Sequence, residues 1–219
     1  MLRIFIGYDP RQPIALQVLA HSIMRRSSVP VSITPLVLST LPIKRRGLTE
    51  FTYSRYMVPW LCSYVGNALF LDADMLCIDD VSQLFMKQQG EQTPISVVKN
   101  RLRFEWPSMI YFNNWHSDCK KLTPDFIDDE NNKPMTFSWA TEIGEIESAW
   151  NHCVGYDQPR TDARLVHFTA GIPCWPETKG CEYSRQWHKE ARSANSSVTW
   201  QELMGGSVHV NRVKQGMNT

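Results

Sequence analysis

Apolar residues in this chain come in short runs, separated by polar stretches that contain Pro, Gly or Asn. Leu2–Gly7 is mostly apolar and stops at Tyr8-Asp9-Pro10, the layout of a buried strand running into a loop. Pro13 suits the first turn of a helix. Ile14, Val18, Leu19 and Ile23 then share one helical face, and Ser27-Ser28-Val29-Pro30 ends it. Residues 31–38 alternate well enough for a second strand, and 68–71, 95–98, 109–112 and 165–166 read as further short strands. Strands alternating with helices predict an α/β fold, a mostly parallel sheet flanked by helices with right-handed crossovers. Ligands of such sheets bind beyond the carboxyl ends of the strands. Residues 118–132, rich in acids and Asn, read as an exposed loop.

The polar residues that interrupt this pattern carry the candidate chemistry. The run at 68–71 ends in Asp72-Ala73-Asp74, and an amphipathic segment follows through Asp79-Asp80 to Leu84-Phe85. Carboxylates at alternate positions, where a buried strand ends and the backbone turns, form a claw whose hard oxygens suit Mg²⁺ or Mn²⁺. Such an ion can neutralise a diphosphate leaving group. The motif alone equally suits a helix cap or a solvated strand end.

Composition narrows the classes. A chain of 219 residues has the length of one α/β domain with a sizeable core. Its 23 Lys and Arg balance 22 Asp and Glu, and Lys44-Arg45-Arg46 is too short a basic run for nucleic-acid binding, so it reads as a solvated loop. The six cysteines are scattered with no Cys-x-x-Cys pair, and Cys77 reads as a small buried residue. No apolar stretch approaches the roughly 20 residues that span a bilayer. No secretory leader pattern precedes the first strand, so the expectation is a cytoplasmic protein without a transmembrane segment.

Taken whole, Phe51-Thr-Tyr-Ser-Arg55-Tyr-Met-Val-Pro59-Trp-Leu61, the apolar run and Asp72-Ala-Asp74 resemble the family 8 glycosyltransferases. These are retaining enzymes of GT-A fold that include glycogenin and lipopolysaccharide galactosyl- and glucosyltransferases. The likeness extends to Arg3-Ile-Phe-Ile-Gly7-Tyr8-Asp9 and to His167-Phe-Thr-Ala-Gly171-Ile-Pro-Cys-Trp175. It implies transfer of a hexose, with retention, from a UDP-sugar to a glycan or other hydroxyl acceptor. Residues 1–100 would bind the nucleotide-sugar and 101–200 the acceptor, with a polar tail at 201–219.

The resemblance assigns roles residue by residue. Asp72, Asp74 and His167 would hold Mn²⁺ or Mg²⁺, a mixed oxygen and nitrogen site. Gly7, Tyr8 and Asp9 would meet uracil and ribose, although Asp9-Pro10 also reads as a capping turn. Arg55 would fork onto a phosphate or sugar hydroxyl, or pack among its aromatic neighbours, with Tyr53 facing the same cleft. Asn113 would contact a sugar hydroxyl, unless Asn113-Asn114 is only a turn. Glu142 would sit beside the reactive carbon, as stabiliser of oxocarbenium charge or as nucleophile. Front-face attack with no protein nucleophile is the other course, and Glu142, Glu145 and Glu147 also read as a solvated helix face. Gly171 falls one place late against the family's glycine, which Ala170 replaces. Pro173 stands where the family has a phosphate-binding lysine, and Lys179 is the neighbouring positive charge. Two alternatives remain open: a haloacid dehalogenase-like phosphatase with Asp72 as nucleophile, and a non-catalytic nucleotide-sugar binding protein.

Overall fold

The apolar runs become strands because each can bury both faces between helical layers. A computed structural model describes residues 1–101 and 103–195; the polar tail expected at 201–219 lies outside the described residues. In chain order, β1 is Leu2–Gly7, α1 Pro13–Arg26, β2 Val31–Leu36, α2 Val58–Leu61, β3 Asn67–Leu71, β4 Met75–Cys77 and α3 Ser82–Gln88. Then come β5 Ile95–Val98, β6 Met109–Asn113, α4 Pro124–Asp128, β7 Ile143–Ile146, β8 His152–Cys153, β9 Leu165–His167 and α5 Ser184–Ala194.

Six strands form the main sheet in the order β2-β1-β3-β6-β5-β7. β1 runs parallel to β2 and β3, and β5 parallel to β7, while β6 runs against both its neighbours. The expected mostly parallel sheet is therefore present, with one reversed strand next to β3. β2 is shorter than the 31–38 pattern predicts because Leu38–Thr40 closes a 3₁₀ turn. Pro35 is tolerated in β2 because that strand is the sheet's edge.

Side-chain alternation divides the core between two faces. Ile4, Ile6, Leu69 and Leu71 pack with Val18 and Leu19 of α1 and with Trp187 of α5. Phe5, Phe70 and Phe112 turn the other way, towards Tyr56, Val58 of α2 and Ile127 of α4. Each such fully buried large side chain contributes roughly 1.5–3 kcal/mol. α5 is pinned to α1 by Glu190, which is buried and pairs with His21 at 2.5 Å and Arg26 at 2.9 Å.

The stretch at 118–132 is not the exposed loop its polarity predicts. A 3₁₀ turn over Ser117–Lys121 and then α4 bury Asp118, Cys119, Leu122 and Ile127. Thr123 caps α4 by accepting the Phe126 N–H at 3.1 Å. The acids there work as local acceptors: Asp128 takes the N–H groups of Lys44 and Arg45, and Arg45 donates to the carbonyls of Ile127, Asp129 and Asn132. Thus Arg45 is part-buried and bonded, and the basic run is less solvated than its composition suggests.

A second, small sheet, β4-β9-β8, sits beyond the end of β3. Its register pairs Met75 with His167. That pairing joins two segments more than ninety positions apart in number, 75 and 167, at the place where the Asp-x-Asp motif ends.

Candidate metal centre and cleft

β3 makes its last cross-strand contact where the Asp72 N–H donates to Ser108 O at 2.8 Å. The chain then turns through Ala73 and enters β4, so both carboxylates hang over the carboxyl end of the sheet. β9 runs antiparallel to β4, and the Phe168 N–H donates to Asp74 O at 2.9 Å, which fixes His167 against the motif. Ligand atoms of Asp72, Asp74 and His167 all lie within 4.8 Å of one another. His167 Nε2 is 3.4 Å from Asp74 Oδ1.

The donor set fits a divalent cation. Asp72 Oδ1 and Asp74 Oδ1 are buried and accept no hydrogen bond among the described residues. Asp72 Oδ1 lies 3.1 Å from Arg55 Nη2, an ion-pair distance without hydrogen-bond alignment. Buried acceptors left without donors are costly, and a cation bound between them removes that cost. Burial pushes the Asp72 carboxyl up to about 7, with Arg55 opposing the rise. Burial alone would lower His167, but the adjacent Asp74 carboxylate holds it well above the ordinary imidazole value. The Asp72 shift thus records burial first and neighbouring charge second, and the His167 shift records the Asp74 carboxylate beside it.

Two cavities of about 550 Å³ each open on this centre and share Asp74 and Thr169 in their walls. One is lined by Thr52, Tyr53, Glu105, Ser108 and Tyr156 beside Asp72 and His167. The other is lined by Asp9, Arg11, Gln12, Gly171 and Trp175. Because β1 and β3 are neighbours, the loops after them face one cleft.

The predicted residues divide sharply. Asp9 lines the cleft, is 3% exposed and is forked by Arg11, so an ion pair replaces the expected free acceptor. Gly7 is needed for packing: a Cβ there would fall 2.4 Å from Phe51 Cγ. Tyr8 is half-buried and belongs to neither cavity wall. Arg55 is 6% exposed, donates from Nε to Phe51 O and from Nη1 to Pro107 O, and turns Nη2 to Asp72. It orients the first aspartate and has no fork left for a phosphate. Gly171, at φ +119°, lets the chain turn under Trp175, whose Cδ1 would meet an added Cβ at 3.2 Å.

Asn113 and Glu142 are corrected by the register. β6 is the reversed strand, so Asn113 pairs with Asn67 at the start of β3, at the sheet end away from the metal centre, and its side chain donates to Glu91 O. Glu142 precedes β7, whose first residue pairs with Ile95 at that same far end, and it is exposed. The expected helix face carrying Glu142, Glu145 and Glu147 is instead strand β7 and its flanks.

The carboxylate that does reach the centre is Glu105, which sequence reading missed. It is 6% exposed, its Oε1 accepts from Thr169 Oγ1, and its Oε2 lies 3.7 Å from His167 Nδ1. Its signal in the sequence is slight: one acid flanked by Phe104 and Trp106 just ahead of a strand. His152 is buried as well and bonded to Glu182 at 2.9 Å.

With this geometry in view, relatives can be compared. Over 227 aligned positions the chain is 34% identical to Protein CDI of Arabidopsis thaliana, covering 88% of this chain and 87% of that protein. The chain belongs to the family of Protein CDI. No family model matches it. Among solved structures, the galactosyltransferase LgtC, in complex with donor and acceptor sugar analogues, aligns with this CDI-family chain at TM-score 0.64 and 11% identity, over 92% of this chain and 99% of LgtC. The glycosyltransferase GlyE of Streptococcus pneumoniae aligns at TM-score 0.62 and 16% identity, over 99% of this chain and 65% of GlyE. The bifunctional glycosyltransferase WbbM aligns at 0.65 and 12% identity, over 93% of this chain but 51% of its own, so the chain spans about half of WbbM. These likenesses show that the CDI-family chain has the fold of GT-A glycosyltransferases. Among the described residues no helix is long and apolar enough to cross a membrane.

Proposed function

We propose that this protein is a metal-dependent retaining glycosyltransferase of the family 8 type, moving a hexose from a UDP-sugar to a glycan or other hydroxyl acceptor. The observation that carries the reading is the pair of orphaned buried oxygens on Asp72 and Asp74, converging with His167 at the carboxyl end of a GT-A sheet. Mn²⁺ or Mg²⁺ held by these three residues would supply positive charge to the diphosphate as the bond to the sugar breaks.

The chain's own residues support the rest. Arg55 is held by the carbonyls of Phe51 and Pro107 and sets its third nitrogen, Nη2, against Asp72, so the claw is oriented before any ligand arrives. Glu105, next to His167 and open to the cleft, is the carboxylate positioned to face a sugar, in place of Glu142. Tyr53 offers a hydroxyl along the same wall for sugar or acceptor oxygens, while the hydroxyls of Thr52 and Ser108 are bonded within the protein. The loops over the strand ends would exclude water, whose attack is the competing reaction. A phosphatase using Asp72 as nucleophile is disfavoured, because that carboxylate is 8% exposed and turned to Arg55.

Isothermal titration of UDP with and without Mn²⁺ tests the proposal, on the parent protein and on Asp74→Ala and His167→Ala. Metal-dependent binding lost in both variants is the expected result and leads to a screen of UDP-sugars for transfer. Binding indifferent to metal, or none, would sink it; binding without turnover of any UDP-sugar would leave a nucleotide-sugar binding protein.

A further inference from the structure

A leaving nucleoside diphosphate carries more negative charge than the proposed metal centre can offset. The two carboxylates of Asp72 and Asp74 already cancel a divalent ion formally, and Asp9, Glu105 and Glu177 add acid to the cavity walls. The diphosphate therefore needs a cation from the protein. Arg55 is spent on Phe51 O, Pro107 O and Asp72. Pro173 is buried, and Lys179 is exposed and absent from both walls. Arg11 is the remaining basic side chain of the cleft's lining.

Its geometry suits the task. Nε and Nη2 fork onto Asp9 at 2.9 Å and 2.7 Å, and Asp9 Oδ1 also accepts the Arg11 N–H at 2.9 Å. The Asp9 side chain is 2% exposed while that of Arg11 is 69% exposed, so a buried carboxylate anchors an open guanidinium. Nη1 has no protein partner among the described residues. Arg11 lines the cavity that Asp74, Gly171 and Trp175 also line. A fork already held in plane loses less freedom on binding an anion than a free side chain does.

We infer that Arg11, held by Asp9, binds the diphosphate of the nucleotide donor opposite the metal centre. This rests on the UDP-sugar reading above. Asp9 then serves the donor through Arg11 rather than by meeting ribose itself.

The test is titration of UDP in saturating Mn²⁺ on the full chain and on Arg11→Ala and Arg11→Lys, with uridine followed by NMR as the phosphate-free probe. Arg11→Ala should weaken UDP by roughly 10- to 100-fold, the range for hydrogen bonds to charged groups. Uridine binding and Mn²⁺ affinity should stay unchanged; the melting temperature should fall because buried Asp9 loses its fork, and Arg11→Lys should recover part of both losses. Arg11→Ala binding UDP like the parent, or losing uridine as much as UDP, would overturn the inference while leaving the donor reading intact. A parent protein that does not bind UDP with Mn²⁺ overturns both.

Discussion

Asp72 and Asp118 are both buried aspartates, one at each end of the main sheet, and their surroundings are opposites. Asp118 is 4% exposed, takes the Lys121 ammonium at 2.6 Å on one oxygen, and accepts both the N–H and the hydroxyl of Thr141 at 2.7 Å on the other. Burial would raise its carboxyl, but those donors hold it at about 2. Asp72 is 8% exposed, its Oδ1 accepts no hydrogen bond, and burial drives its carboxyl up to about 7. One end of the sheet satisfies its acid from within; the other leaves an oxygen of each acid without a hydrogen-bond donor. A buried acid that the fold completes serves the fold, and one that the fold leaves incomplete is available for a ligand.

The contrast can be broken most directly at the claw. Asp74→Asn or His167→Ala should cut UDP affinity in Mn²⁺ by more than about 100-fold, the upper end of what changes outside the ligand set cost metal sites. The unfolding free energy of Asp74→Asn should fall by less than that of Asp118→Ala, because the Asp74 Oδ1 it alters accepts no hydrogen bond and faces only the His167 ring. A large loss of stability with UDP binding kept would reverse the assignment of the two ends.

Asp118→Ala should do the converse. It strips Lys121 and Thr141 of their acceptor and should cost about 2–3 kcal/mol in urea unfolding, with UDP affinity unchanged. Acid sharpens the same point. Because Asp118 titrates lower in the folded protein than the ordinary value of 3.8, its stabilisation is full above that pH and fades as pH falls towards about 2. The parent's stability should therefore drop more steeply over that window than that of Asp118→Asn. Equal slopes would mean that the acid is not held as its bonds suggest.

The smallest effect is expected from Glu142→Gln and Asn113→Ala. Both residues lie at the Asp118 end and line neither cavity wall, so UDP binding and any transfer rate should stay within about twofold of the parent. A tenfold loss in either variant would bring the far end of the sheet into the site.

Much of the fold was legible in the chain because short apolar runs and helical stripes are local signals. Leu2–Gly7, the Pro13 start of α1 and Ile95–Val98 fall where periodicity places them. The motif Asp72-Ala-Asp74 was legible for the same reason, since a strand end and its acids are adjacent in sequence. Residues 118–132 were misread because acids and Asn look solvated one by one, and only the packing of Cys119, Leu122 and Ile127 shows that their backbone is buried.

By itself, then, the sequence determined the α/β alternation, the carboxylate pair at a strand end and the absence of a long apolar span, all of which depend on residues close together in the chain. Only the tertiary structure decided which distant groups meet them. The antiparallel pairing of β4 with β9 put His167 beside Asp74, the reversal of β6 sent Asn113 to the far end, and the start of β7 did the same for Glu142. Glu105 and Arg11 joined the cleft by the same long-range closure. Strand direction and register are global properties: a run of residues reads alike in either direction, yet the direction decides which of its ends reaches the site.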